Sequence, residues 1–119
     1  MRLAVFILSL LIMKMKIDNQ VVDILLPMIS EAGNVDIPLI MSDNRVRPAV
    51  TCRNILFRYL NEKLYWSTPR IGRAFHRKHA TVIHGIKNAR DYGTSPSYKK
   101  ERAIQEDFLE RIMIHENEN

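Results

Sequence analysis

The stretch STPRIGRAFHRKHATVIHGIKNAR, residues 67–90, holds two short helical patterns with almost nothing between them. Ser67 or Thr68 is placed to cap a first helix, and Pro69 suits its opening turn. Ile71, Ala74 and Phe75 then recur on one side of that helix. A second pattern starts near Lys78 and turns Val82, Ile83, Ile86 and Ala89 inward. Only His76 and Arg77 remain to reverse the chain. Two short helices joined by a tight turn, the second with polar residues at its exposed N-terminus, make a helix-turn-helix. Such a unit lays its second helix in the major groove of duplex DNA.

The flanking sequence extends the helical reading. Upstream, residues 48–64 carry Cys52, Ile55, Leu56, Tyr59, Leu60 and Leu64 as an apolar stripe, with Pro48 in the first turn. The other side of this helix shows Arg53, Asn54, Arg58 and Lys63. Before it, DNRVRP is a polar, cationic connector, and VDIPLIMS reads as a short helical segment after a turn at Gly33-Asn34. Residues 18–31 recur at helical spacing, with Asp18 as N-cap and Pro27 expected to kink or shorten the helix. A last amphipathic helix from about Ser97 carries Ile104, Phe108, Leu109, Ile112 and Met113. No stretch alternates with period two, so the expected fold is all-α.

Charge is concentrated rather than spread. The 119-residue chain has a net charge of +5, yet residues 45–100 hold 13 Lys and Arg against 2 Asp and Glu, a net of +11. The segments before and after it carry −2 and −4. A basic middle between acidic ends points to a polyanion-binding face. Arg45, Arg47 and Arg53 precede the helix pair and are placed to grip a backbone or enter a minor groove. Lys78, His79 and Thr81 fall in the first turn of the second helix, the part that reaches base edges. Asn54, Arg77 and Lys87 complete the candidate contact set.

Other chemistries find little support. His76, His79 and His84 do not have paired metal-ligand spacing, and the one cysteine lies far upstream. Cys52 sits on an apolar stripe, as a small core residue does, and a single cysteine allows no internal disulfide. His84, two residues after Val82, reads as a partly buried structural histidine. No phosphate-binding G-x-x-x-x-G-K-[ST] loop is present. The expectation is a non-enzymatic protein with neither metal nor cofactor.

The N-terminus stands apart. MRLAVFILSLLIM is almost uninterrupted in its apolarity, but it is shorter than the roughly 20 residues of a membrane span. No small-residue cleavage site follows it. Residues 1–16 are therefore read as an accessory extension, or an upstream start, and 17–115 as the domain. A membrane partner is not expected.

From about Val21 to Ile112 the chain resembles the C-terminal DNA-binding domain of the bacterial replication initiator DnaA. The resemblance rests on STPRIGRAFHRKHATVIHGIKNAR, on NRVRPAVTCRNILFRYLNEKL, and on QEDFLERI. Ile71, Gly72, Phe75, Arg77, His79, Thr81, Val82, Ile83 and His84 follow the family's motif in order. The resemblance implies a Trp-repressor-like helix-turn-helix that binds double-stranded DNA at a DnaA box. It gives base reading in the major groove to His79 and Thr81, and anchoring to Arg45 and Arg53. Lys78 departs from the family's usual aspartate, exchanging an acceptor for a donor. Ala80 stands where a hydroxyl residue is usual, and the turn lacks the usual glycine. The initiator's ATPase domain has no counterpart here. The expected role is a stand-alone cytoplasmic, nucleoid-associated factor in replication initiation or its regulation. The alternatives are a transcriptional or mobile-element regulator, or a basic module for RNA or an acidic partner.

Overall fold

A computed structural model describes residues 2–118. Its elements are α1 (Arg2–Gly33), α2 (Ile37–Met41), α3 (Arg47–Glu62), α4 (Thr68–Phe75), α5 (His79–Thr94) and α6 (Lys99–Glu118), with a 3₁₀ turn at Pro96–Tyr98. No strand occurs among the described residues, so the fold is all-α as expected.

The architecture is organised around α3. Helices α1, α2, α4, α5 and α6 all pack on it. As a result Ala49, Thr51 to Phe57 and Leu60 are buried, polar residues included. The sequence reads this helix as amphipathic with Arg53 and Asn54 on its open side. That expectation is corrected, because a helix wrapped by five others has almost no open side. Leu64 lies beyond the end of α3 and is exposed.

Aromatic edges tie the layers together. Phe57 of α3 meets Phe75 of α4 with ring centroids 5.2 Å apart, and Tyr59 meets Phe108 of α6 at 5.6 Å, both edge-to-face. Each fully buried Ile, Leu or Phe of this core contributes about 1.5–3 kcal/mol relative to exposure. Cys52 is a core residue, and burial pushes its thiol up to about 11. It stays a neutral thiol at neutral pH and supplies no nucleophile.

Helix α1 corrects two further readings. It runs without interruption from Arg2 to Gly33, so Asp18 is not its N-cap and Pro27 does not end it. Pro27 is exposed, where the carbonyl freed by its missing N–H can turn to water. The Asp18 carboxylate instead accepts from Arg70 of α4, at 2.5–3.2 Å, and Arg70 lies over the Trp66 ring at 4.0 Å. Burial on α1 begins at Val22 and continues through Leu25, Leu26 and Ile29, while the large apolar residues from Leu3 to Ile17 are exposed. No described helix is long and apolar enough to cross a membrane. The helix ends through Asn34, which takes a left-handed φ of 54°, a conformation Asn tolerates better than most residues. On α6, Phe108 and Ile112 face the core, whereas Leu109 and Met113 are exposed, contrary to the expected stripe.

Candidate nucleic-acid interface

The helix pair forms for local reasons. Ser67 caps α4, its hydroxyl accepting from the Arg70 amide at 3.3 Å, and Pro69 sits in the first turn. The helix stops at His76, whose φ of 54° and ψ of 45° are left-handed. Glycine usually takes this position, but histidine is among the side chains that reach it at modest cost. The Arg77 amide then donates to Gly72 O at 2.8 Å. A Cβ on Gly72 would stand 2.7 Å from the Arg77 carbonyl oxygen, so this close a turn requires glycine there.

Helix α5 is seated by Val82, Gly85, Ile86, Ala89 and Tyr92. Gly85 belongs to this face because a Cβ would lie 2.5 Å from Asn54 Oδ1 and 3.0 Å from the Phe57 ring. The α3–α5 crossing is that close. This seating corrects two sequence readings. Ile83 is 48% exposed rather than inward, and His84 is exposed rather than partly buried. Lys78, His79, Ala80, Thr81, His84 and Lys87 are also exposed.

An open cleft separates α5 from the connector before α3. Asp43, Arg45, Val50, Arg53, Asn54, His76, Arg77, Lys78, Ala80, Thr81, His84 and Asn88 line it. Six of the nine sequence candidates meet here. His79 lies just outside, in a neighbouring hollow with Pro69, Gly72, Arg73, His76, Arg77 and Lys78. Its Nδ1 is 2.7 Å from the Thr68 hydroxyl, which orients the ring and leaves the other nitrogen for a partner. Arg47 is not part of the cleft. It lines a separate hollow with Lys99 and Lys100, and pairs with Glu101 at 2.9 Å.

Three cleft residues are not the free groups that the sequence suggests. Arg53 is 7% exposed, and its guanidinium donates to the carbonyl oxygens of Ile40 (2.6 Å), Leu39 (3.0 Å) and Asn44 (2.6 Å). It thereby closes the C-terminal end of α2 and fixes the connector. Burial, and then the neighbouring Arg77 charge, hold its pKa below the usual arginine value. Asn54 is buried and donates to the Tyr92 hydroxyl at 3.0 Å. Arg77 pairs with Asp43 and also donates to the Ser42 carbonyl oxygen, so it ties the turn to the connector. Arg45, which lies between these clamps, has no ionic partner among the described residues.

Lys78 occupies the N-cap of α5 and makes no side-chain cap hydrogen bond. The initial amides of α5 therefore lack the acceptor that an Asp or Ser would provide. His84 and Asn88 are contact candidates that the sequence reading missed. Their signal was their spacing of three and seven residues from Thr81, which puts all three on one face.

The two-helix unit and its supporting helix fall within one family match. The family described as bacterial dnaA protein helix-turn-helix matches residues 22–89. The chain belongs to that DnaA C-terminal family. Comparison with curated proteins gives no match. The matched span begins at Val22, where α1 first becomes buried, and ends at Ala89 on the inner face of α5. It thus contains the helix-turn-helix and the long helix that supports it. The DnaA-type domain is a DNA-binding module, and double-stranded DNA is the partner its family implies.

Proposed function

We propose that this protein binds double-stranded DNA sequence-specifically, at a site related to the DnaA box, in replication initiation or its regulation. The proposed binding unit is 17–115, with 1–16 as an accessory segment. It acts on the chromosome in the cytoplasm as a non-enzymatic factor. The observation that carries this reading is the start of α5. Lys78, His79 and Thr81 are exposed at a helix end whose buried residues fix its rotation, with Arg45 across the cleft.

In this reading His79 and Thr81 reach base edges, Ala80 offers a methyl to thymine, and Lys78 donates to guanine or a phosphate. Arg45 enters the adjacent minor groove or grips its phosphates. Arg73 and Lys87 add backbone contacts, and the amides of α5 contribute a positive end. His79→Ala and Thr81→Ala are then expected to weaken specific binding far more than non-specific binding, because a good base contact discriminates by about 1–3 kcal/mol. Lys78→Asp has two separable effects. It restores a helix cap, raising stability by about 1 kcal/mol, and it lowers general DNA affinity while shifting base preference towards the usual initiator box. Binding-site selection on random duplexes with wild type and Lys78→Asp measures the second effect. Identical preferences at every position would remove Lys78 from sequence reading, and stronger binding to RNA than to duplex would overturn the proposal.

Salt dependence tests the electrostatic part. Arg58, Arg70, Arg77 and Arg90 are already in ion pairs, which leaves Arg45, Arg73, Lys78 and Lys87 around the helix pair. Four phosphate contacts at ~0.9 each give a log–log slope of about −3.6. A slope near zero in a titration over salt would exclude phosphate neutralisation as the source of affinity.

A further inference from the structure

Helix α1 leaves Leu3, Phe6, Leu10, Met13, Ile17 and Ile24 exposed, each between 49% and 71%; Val5, Leu8, Leu11, Ile12 and Met15 are exposed on its opposite side, but only the first set continues as exposed apolar residues beyond Ile17. Their spacing alternates three and four residues, with Gln20 as the polar member, so they form one stripe over three heptads. All five charged residues between 2 and 24 (Arg2, Lys14, Lys16, Asp18 and Asp23) lie off the stripe. So do Val22, Leu25, Leu26 and Ile29, which dock α1 on the body from the opposite side. A helix laid along the stripe therefore does not collide with the core side of its own domain.

We propose that this seam is the interface with a second copy of the chain, paired as an antiparallel two-helix coiled coil. The stripe runs over about 30 Å of helix at ~1.5 Å per residue, and Ile7 and Val21 widen it at its edges. Charge selects the direction. With Leu10 facing the second copy's Met13, and Phe6 its Ile17, Arg2 falls beside the second copy's Asp23 at both ends. Lys16 falls beside Ser9 and Lys14 beside Ile7, so no like charges meet. A parallel pairing forms neither of the two Arg2–Asp23 contacts. Arg2 and Asp23 have no ionic partner within the described residues.

The proposal is independent of the DNA reading and joins two DNA-binding heads through one seam. Sedimentation velocity of the full chain up to about 0.1 mM should show a dimer, or a multiple of it. Leu10→Glu should weaken association on the order of a hundredfold, since it places two charges in the seam, while helicity and single-site duplex binding persist. Asp23→Arg should weaken it about tenfold, and Asp23→Arg with Arg2→Asp should restore it, as exchanged end charges do only in the antiparallel register. A monomeric wild type, association indifferent to Leu10→Glu, or no rescue by the charge exchange would overturn the proposal. So would a chain that is monomeric in solution and binds anionic phospholipid vesicles through Leu10, because the arm would then be a lipid anchor.

Discussion

Val82→Asp is expected to leave no cooperatively folded domain. Val82 is 0% exposed on the face of α5 that meets α3, beside Ile86 and Ala89. The substitution removes the apolar burial of valine, about 1.5–2 kcal/mol, and forces a carboxylate into a site with no partner. Desolvation of that charge adds several kcal/mol, and the sum approaches the whole 5–15 kcal/mol stability of a typical domain. Thermal denaturation by circular dichroism should show no sigmoidal transition, and duplex binding should be lost as a consequence. The neighbouring change is the control. Ile83→Asp, one residue on and 48% exposed, should melt within about 0.5 kcal/mol of wild type. The opposite pattern, a normal melt for Val82→Asp and none for Ile83→Asp, would mean that α5 is rotated by a residue.

Arg53→Ala and Arg45→Ala are expected to fail in different ways, although the two residues look alike in sequence. Arg53 donates three hydrogen bonds to main-chain oxygens at the end of α2 and in the connector. Charged hydrogen bonds of this kind are worth about 1.5–3 kcal/mol each, and truncation leaves buried carbonyls unpaired beside a cavity. Allowing for water entering the gap, the loss should be about 2–4 kcal/mol, or on the order of 10 °C in Tm. Arg53→Lys should not recover it, because one ammonium cannot replace a planar fork that serves three acceptors. Arg45 is exposed and unpaired, so Arg45→Ala should leave the melt unchanged and weaken binding to every duplex. Melting without DNA, beside duplex titration, separates the two. A normal melt with lost affinity in Arg53→Ala would return that arginine to the phosphate backbone.

The helix-turn-helix was legible in residues 67–90 because its signals are local. A capping Ser67, Pro69 in the first turn and apolar residues three or four apart act within one or two helical turns. No distant partner is needed to recognise them. The same holds for Asn34 at the end of α1 and for the all-α class. The exposed start of α5 also followed from local spacing, since Val82 and Ile86 point inward whatever else surrounds them. The rotation was less well determined, for Ile83 is as apolar as Val82. Only the close approach of α3, which admits no side chain at position 85, turns Ile83 out and with it His84.

What tertiary structure decided is mainly the fate of the arginines. Composition counts each as a surface cation, but a guanidinium on a long stem can reach acceptors supplied by distant parts of the chain. Arg53 finds carbonyls 9 to 14 residues away, Arg77 the Ser42 carbonyl 35 residues away, and Arg70 a carboxylate 52 residues away. The basic segment thus divides into arginines that hold the connector and helices in place and the few cations left facing solvent. Helix α3 shows the same limit. Its apolar stripe was readable, but its burial on nearly every side depends on five other helices packing around it. Local periodicity identifies which residues share a face, and only the packed chain determines which faces remain open to water.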